Sequence, residues 1–178
     1  SAPVTLLRGA NGKMGNSGVH KNPQNVMYHK GRIYETNYLV ARVKLANASQ
    51  IRTVMANGYY SPSTLGGETM ARRTNAVLAI NGDFYGARSE SYVLRQGVVY
   101  RDKVGPNQDI LLIDEDGDFH VLLAADNPAE IDKTTINGKK VINAFSFGPA
   151  LIIDGVVAGV GGILTFLPNI FVLFLALA

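Results

Sequence analysis

Apolar residues along this chain come in short runs cut by turn formers, and the runs predict strands far more often than helices. The run Ala76-Val77-Leu78-Ala79-Ile80 is continuous and short, the pattern of a strand covered on both faces. It stops at Asn81-Gly82-Asp83, where Asn and Gly tolerate positive φ and Asp can bond its own backbone. Two aromatic residues, Phe84 and Tyr85, follow at once, then Gly86. Residues 38–45 alternate apolar and polar, which predicts a strand with one apolar face. A polar turn at 46–51 precedes a short strand over 52–56, and Asn57-Gly58 marks a further turn.

One stretch reads as a helix. Residues 61–67 carry Pro62 and several hydroxyls and lead into a helix over 65–74. Ser63 or Thr64 is the expected cap, Glu68 suits the positive N-terminal end, and Asn75 can close it in a left-handed conformation. Three hairpins follow. Residues 92–94 and 98–100 flank Arg95-Gln96-Gly97, and residues 109–113 and 119–123 flank Asp114-Glu115-Asp116-Gly117-Asp118. Residues 151–153 and 156–157 flank Asp154-Gly155. Between them, Asp126 or Asn127 with Pro128 predicts a short helix start, and Asn137-Gly138 turns the chain toward a strand over 141–145. The expected class is α+β, a mixed, largely antiparallel sheet with a few short helices packed on it.

Polarity divides the chain into three parts. Residues 1–33 form a glycine-rich basic arm, expected to be irregular apart from a short strand over 4–7. Residues 34–155 form the domain. Residues 156–178 form a tail without a charged residue, interrupted only by Thr165, Pro168 and Asn169. Its length and polarity meet the criterion for a membrane-spanning helix. Gly159, Gly161, Gly162 and Pro168 argue the other way, as does the lack of flanking Lys or Arg. Three readings stand: an aberrant terminus, a membrane anchor, and buried terminal strands.

The totals narrow the field. A chain of 178 residues is the size of one domain. The net charge of +3 is too small for a nucleic-acid binder and suits anionic substrates. Cysteine is absent, which excludes disulfides and thiol nucleophiles. The chain begins at Ser1 without an initiator Met and reads as a mature form or a fragment.

A strand that delivers polar groups and two rings at its carboxyl end can build a pocket wall, and it can equally be a strand followed by an ordinary turn. Glycosidic cleavage needs a proton donor and a stabilising carboxylate, and the candidates are Asp83 and Glu68. Asp83 can also be a plain turn residue, and Glu68 can simply serve its helix end. Anion recognition calls for cations or exposed amides, offered by Arg88, Arg95, Arg101 and the turn at Ser146-Phe147-Gly148-Pro149. Asn81 can bond a ligand or hold its own turn, and Phe84 and Tyr85 can be core or a sugar platform. There is no Gly-x-Ser-x-Gly elbow and no His follows Ser146, which argues against a serine triad. His20, His29 and His120 are isolated. Asp114, Asp116 and Asp118 imitate a calcium loop, but Phe119 stands where the loop needs Gly and Ala125 where it needs Glu. No metal site and no cofactor is expected.

Segments in this order resemble the phosphodiester glycosidase family, which includes the lysosomal uncovering enzyme and bacterial exopolysaccharide-related proteins. Ala79-Ile80-Asn81-Gly82-Asp83-Phe84-Tyr85 is similar to the family's A-x-N-G-x-F-F/Y signature. Asn143-Ala144-Phe145-Ser146-Phe147-Gly148-Pro149-Ala150-Leu151, followed by Asp154-Gly155, resembles its A-x-S-F-G-P-x-L segment. Gly67-Glu68-Thr69-Met70-Ala71 resembles a helix start of the family. The family's later P-R-T-A-I-G and D-G-G-G/S-S motifs are not found, so its C-terminal part is missing from this chain. The resemblance implies a hydrolase acting on a sugar-1-phosphodiester, secreted or in the cell envelope, with the truncated chain itself a candidate for inactivity. Asn81, Gly82, Phe84, Tyr85, Arg88, Arg95, Ser146, Gly148 and Pro149 would bind substrate, with Asp83 and Glu68 as carboxylates. The rival expectation is a non-catalytic module that binds envelope glycans or anchors at a membrane through the tail.

Overall fold

Turn chemistry sets the hairpins before any packing does. The computed structural model describes residues 4–7, 26–61, 63–83, 89–146, 149–154 and 156–157. The strands are β1 (Val4–Leu7), β2 (Val26–Ile33), β3 (Thr36–Val43), β4 (Ile51–Val54), β5 (Leu78–Asn81), β6 (Ser91–Arg95) and β7 (Val98–Lys103). They continue as β8 (Ile110–Asp114), β9 (Phe119–Leu122), β10 (Thr135–Ile136), β11 (Lys139–Ser146), β12 (Ile152–Ile153) and β13 (Val156–Val157). The helix α1 spans Gly67–Arg73. Among the described residues α1 is the one α-helix, and every strand pair is antiparallel. The class is therefore largely β, with less helix than α+β implies.

The predicted β6–β7 hairpin and the predicted turn at Asn137-Gly138 each form on two successive residues of positive φ. Gln96 and Gly97 adopt φ 53 and 79 between β6 and β7, and Asn137 and Gly138 adopt 51 and 77 between β10 and β11. Both positions left-handed is the turn that matches strand twist. Asn75 takes φ 52 just past α1, as its side chain permits. Two local expectations are corrected. Gly66 caps α1 with no side-chain bond, in place of Ser63 or Thr64. The stretch before Pro128 is a 3-10 turn, Ala124–Asp126, that ends at Asn127 with φ 57, so no helix starts there.

Two sheets carry the core. The larger runs β7-β6-β11-β8-β9 with β10 beside β11, and the smaller runs β4-β1-β5. A register shift between Val141 and Asn143 gives β11 one extra residue against β8. That irregularity lets Val141 and Ala144 share one face while Ile142, Asn143 and Phe145 serve the other. On the first face Val141 and Ala144 join Tyr92, Leu94, Ile110 and Leu112. On the second, Phe145 and Ile113 pack on Ile51 of β4 and Leu78 of β5, which joins the two sheets. The far side of the small sheet is closed by α1, where Met70 and Ala76 meet Val54 and Ala79. The apolar run at 76–80 is thus covered on both faces, but β5 pairs only with β1 among the described strands, so Leu78, Ala79 and Ile80 stay half-buried.

The β2–β3 hairpin departs from expectation. Residues 26–33, assigned to the irregular arm, pair along their whole length with β3. The apolar face predicted for 38–45 is buried at one end only: Val43 and Leu45 reach the inter-sheet cluster, while Leu39 is 57% exposed. Among the described residues no helix is long and apolar enough to cross a membrane. The tail beyond residue 157 lies outside the described residues.

Candidate functional site

The end of β5 is fastened to the middle of the large sheet by one carboxylate. Asp83, two residues past β5, is 1% exposed, and its Oδ1 accepts from Arg95 Nη2 at 2.5 Å. Its Oδ2 accepts from the backbone N–H of Ser146 at 3.1 Å. Arg95, 3% exposed at the end of β6, also donates to the carbonyls of Leu94, at 3.1 Å, and Ala144, and its guanidinium lies 4.6 Å from the Phe145 ring centre. A buried charge needs this degree of pairing, because water no longer solvates it. The Ser146 hydroxyl accepts from the Tyr92 N–H and donates to the Tyr92 carbonyl, both at 2.8 Å. The serine hydroxyl thus bridges β11 and β6 and is fully engaged with backbone.

Asp83, Arg95 and Ser146, nominated from separate stretches of sequence, therefore meet in one buried cluster. The resemblance segments around Asn81 and Ser146 touch through it. Gly82 is half-buried beside them, and Pro149 is exposed beyond the end of β11. Glu68 is not brought in: it stands 78% exposed on α1 in an i,i+4 ion pair with Arg72. Asn81 closes β5, with its backbone opposite Val4 of β1. Its side chain lies outside what the structure describes, and so do Phe84, Tyr85, Arg88 and Gly148.

A second buried polar group sits beside the first and was not nominated from the sequence. Asn143 Oδ1 accepts from Thr53 Oγ1 at 3.0 Å and from the Gln96 N–H at 3.1 Å, which links the two sheets. Its Nδ2 is buried without an acceptor among the described residues. A polar residue inside the run Val141-Ile142-Asn143-Ala144-Phe145 was the available signal. Tyr92 was also missed. Burial, with the charges of Asp102 and Asp132, pushes its hydroxyl well above the usual tyrosine range. Lys133, itself buried, lies 5.0 Å from the Tyr92 ring centre and reaches Asp102 at 3.2 Å.

The acidic hairpin at 114–118 is built for a different end. Burial raises the Asp114 pKa, but a hydrogen bond from His120, amide bonds from Asp118 and Asp116, and nearby Lys139 outweigh it and hold the carboxyl below its usual range. Lys139 spans Asp116 and Asp118 at 3.0 and 2.9 Å. Among the described residues no group of three or more His, Asp or Glu is arranged to hold a metal ion.

The family model for phosphodiester glycosidase matches residues 74–163, which is 90 of the 178 residues. No curated protein and no solved structure matches the chain significantly.

Proposed function

The chain belongs to the phosphodiester glycosidase family, and from that premise we propose that it acts on a sugar-1-phosphodiester, cleaving the bond between the anomeric carbon and the phosphate oxygen. The observation that supports this reading most directly is the double engagement of Asp83, by Arg95 and by the Ser146 amide. It makes one unit of the two segments that carry the family resemblance. In this reading Asn81 and Gly82 contact the sugar, and Phe84 and Tyr85 wall it. Arg88, Gly148 and Pro149 flank the phosphate, where cations and amides aimed at the developing charge lower the barrier.

Asp83 and Arg95 act as positioning residues here. Both oxygens of Asp83 are occupied and its side chain has no open face, whereas a proton donor must come within about 3 Å of the atom it serves. The glycosidic bond leaves with a phosphate, which carries its own negative charge, so stabilising that charge takes over part of a proton donor's task. Glu68 is a carboxylate of α1 outside the cluster and is the second candidate to be tested.

The test is hydrolysis of a nucleotide sugar or an aryl sugar-phosphodiester, followed by release of free sugar. Turnover that disappears in Asn81→Ala, with the fold intact, supports the reading. A second reading is a module that binds envelope glycans without turnover. It is favoured by the state of the two nominated carboxylates, one buried and saturated, the other on an exposed helix face. Glycan binding with no sugar release from any diester would select it. Placement in the envelope or outside the cell is part of the same proposal, checked by fractionating cells that express the chain.

A further inference from the structure

Three tyrosines and an arginine gather at the β7 edge of the large sheet. The turn at Asn57-Gly58, with Gly58 at φ 94, delivers Tyr59 and Tyr60 side by side. Tyr59 stacks on Tyr100 of β7, ring centres 5.1 Å apart and planes tilted by 30°. Tyr60 meets Tyr59 edge to face at 4.9 Å, yet is itself 87% exposed. Arg101 donates to the Tyr59 hydroxyl at 2.7 Å and to the Ser91 hydroxyl at 3.0 Å, with its guanidinium 5.5 Å from the Tyr59 ring centre.

The backbone explains why these groups converge. Val93 pairs with Arg101, but the next residue, Leu94, pairs with Val99, so Tyr100 is an extra residue on β7. A bulge of this kind re-aims side chains, and here Tyr100 and Arg101 both reach Tyr59, although neighbours on a regular strand point to opposite faces. Bulges occur preferentially at sheet edges and beside active sites. β7 is at the end of its sheet among the described strands. Arg101 shares the face of Ser91, Val93 and Arg95, the last of which holds Asp83. Four residues along β6 separate Ser91 from Arg95, a span of about 13 Å at ~3.3 Å per residue.

A lone exposed tyrosine needs no explanation, but one held edge-on by a second, itself stacked on a third and bonded to an arginine, is a rigid surface. The C–H face of a sugar ring packs on aromatic faces by dispersion and the ring quadrupole, and guanidinium is the side chain best suited to phosphate. We propose that Tyr60, Tyr100 and Arg101, braced by Tyr59, form a subsite for a phosphorylated sugar, with the ring on the tyrosines and the phosphate toward Arg101. The subsite takes the phosphorylated sugar once the diester has been cut, as a product site separate from the one that holds the intact diester, an assignment that rests on the hydrolase reading above. Its affinity for a phosphorylated sugar does not.

The experiment titrates the full chain with glucose 6-phosphate, glucose and inorganic phosphate, following tyrosine ring signals by NMR. The wild-type chain is expected to bind glucose 6-phosphate more tightly than glucose or phosphate. Tyr60→Ala, at a site too exposed to disturb folding, raises that Kd about fivefold. Arg101→Gln brings glucose 6-phosphate down to the affinity of glucose. Equal Kd values for wild type and Tyr60→Ala overturn the subsite, and so does a wild type that holds glucose 6-phosphate no better than phosphate. The two readings fail separately. Tyr60-dependent binding in a chain that hydrolyses no diester upholds the subsite and removes the hydrolase. Hydrolysis with Tyr60-independent binding does the reverse.

Discussion

Removing the carboxylate of Asp83 should unfold the protein far more readily than removing that of Glu68, although both were read from the sequence as candidate acids. Asp83→Ala leaves Arg95, 3% exposed, without its counter-charge, and breaking one side of such a buried pair costs about 3–5 kcal/mol. It also strips the Ser146 amide of its acceptor, a loss of about 1–3 kcal/mol. The two losses share one side chain and do not add in full, so about 4 kcal/mol is expected. For a chain of this length each kcal/mol lowers Tm by about 2–4 °C, giving a fall of about 8–16 °C. Asp83→Asn keeps an acceptor for the amide but loses the charge and turns an NH2 donor toward Arg95, and should fall between wild type and Asp83→Ala. Glu68→Ala breaks an exposed helix pair worth about 0.3–0.5 kcal/mol. The double variant Asp83→Leu, Arg95→Met removes both charges and should recover much of the loss, since an apolar pair of similar volume is often as stable as the buried ion pair. Urea unfolding followed by circular dichroism measures all five proteins. A cost for Asp83→Ala below about 1 kcal/mol, level with Glu68→Ala, would refute the idea that this carboxylate fastens β5 to β6 and β11.

Other consequences are open to measurement. Gly117 has φ 89, and an added Cβ would lie 3.1 Å from that of Ala48, so Gly117→Ala should cost at least about 1–2 kcal/mol in urea unfolding. Thr53→Val removes one of the two donors to Asn143 Oδ1 and should cost about 1 kcal/mol by the same assay, the Gln96 amide keeping that oxygen paired. Bonds from the Thr134 hydroxyl and amide, then from the Thr135 hydroxyl, lower the Asp132 pKa to about 2. With the folded value below the unfolded ~3.9, those bonds stabilise the fold above that pH, and the contribution is lost as pH falls through the folded value. A side-chain carboxyl NMR titration should give a midpoint near 2 for Asp132, rising in Thr134→Val.

Local chemistry was legible in the sequence because it acts over a few residues. Gly and Asn tolerate positive φ, so the turns at Gly97 and at Asn137-Gly138 and the close of α1 at Asn75 follow from residue type, whereas Gln96 at φ 53 does not. The apolar run at 76–80 gave β5 for the same reason, and the resemblance around Asn81 and Ser146 gave the family. Burial was not legible, because it depends on what arrives from far along the chain. Asp83 reads as a turn residue until Arg95 and Ser146 close on it from β6 and β11. Asn143 reads as a misplaced polar residue until Thr53 crosses from the other sheet. The alternation at 38–45 fixes which side chains share a face but not whether anything covers it, and Leu39 stays exposed. Tyr59, Tyr100 and Arg101 are joined by a bulge whose extra residue exists only relative to the partner strand. Sequence sets the conformations a segment prefers, whereas desolvation and pairing of charge are set by neighbours that only the tertiary fold supplies.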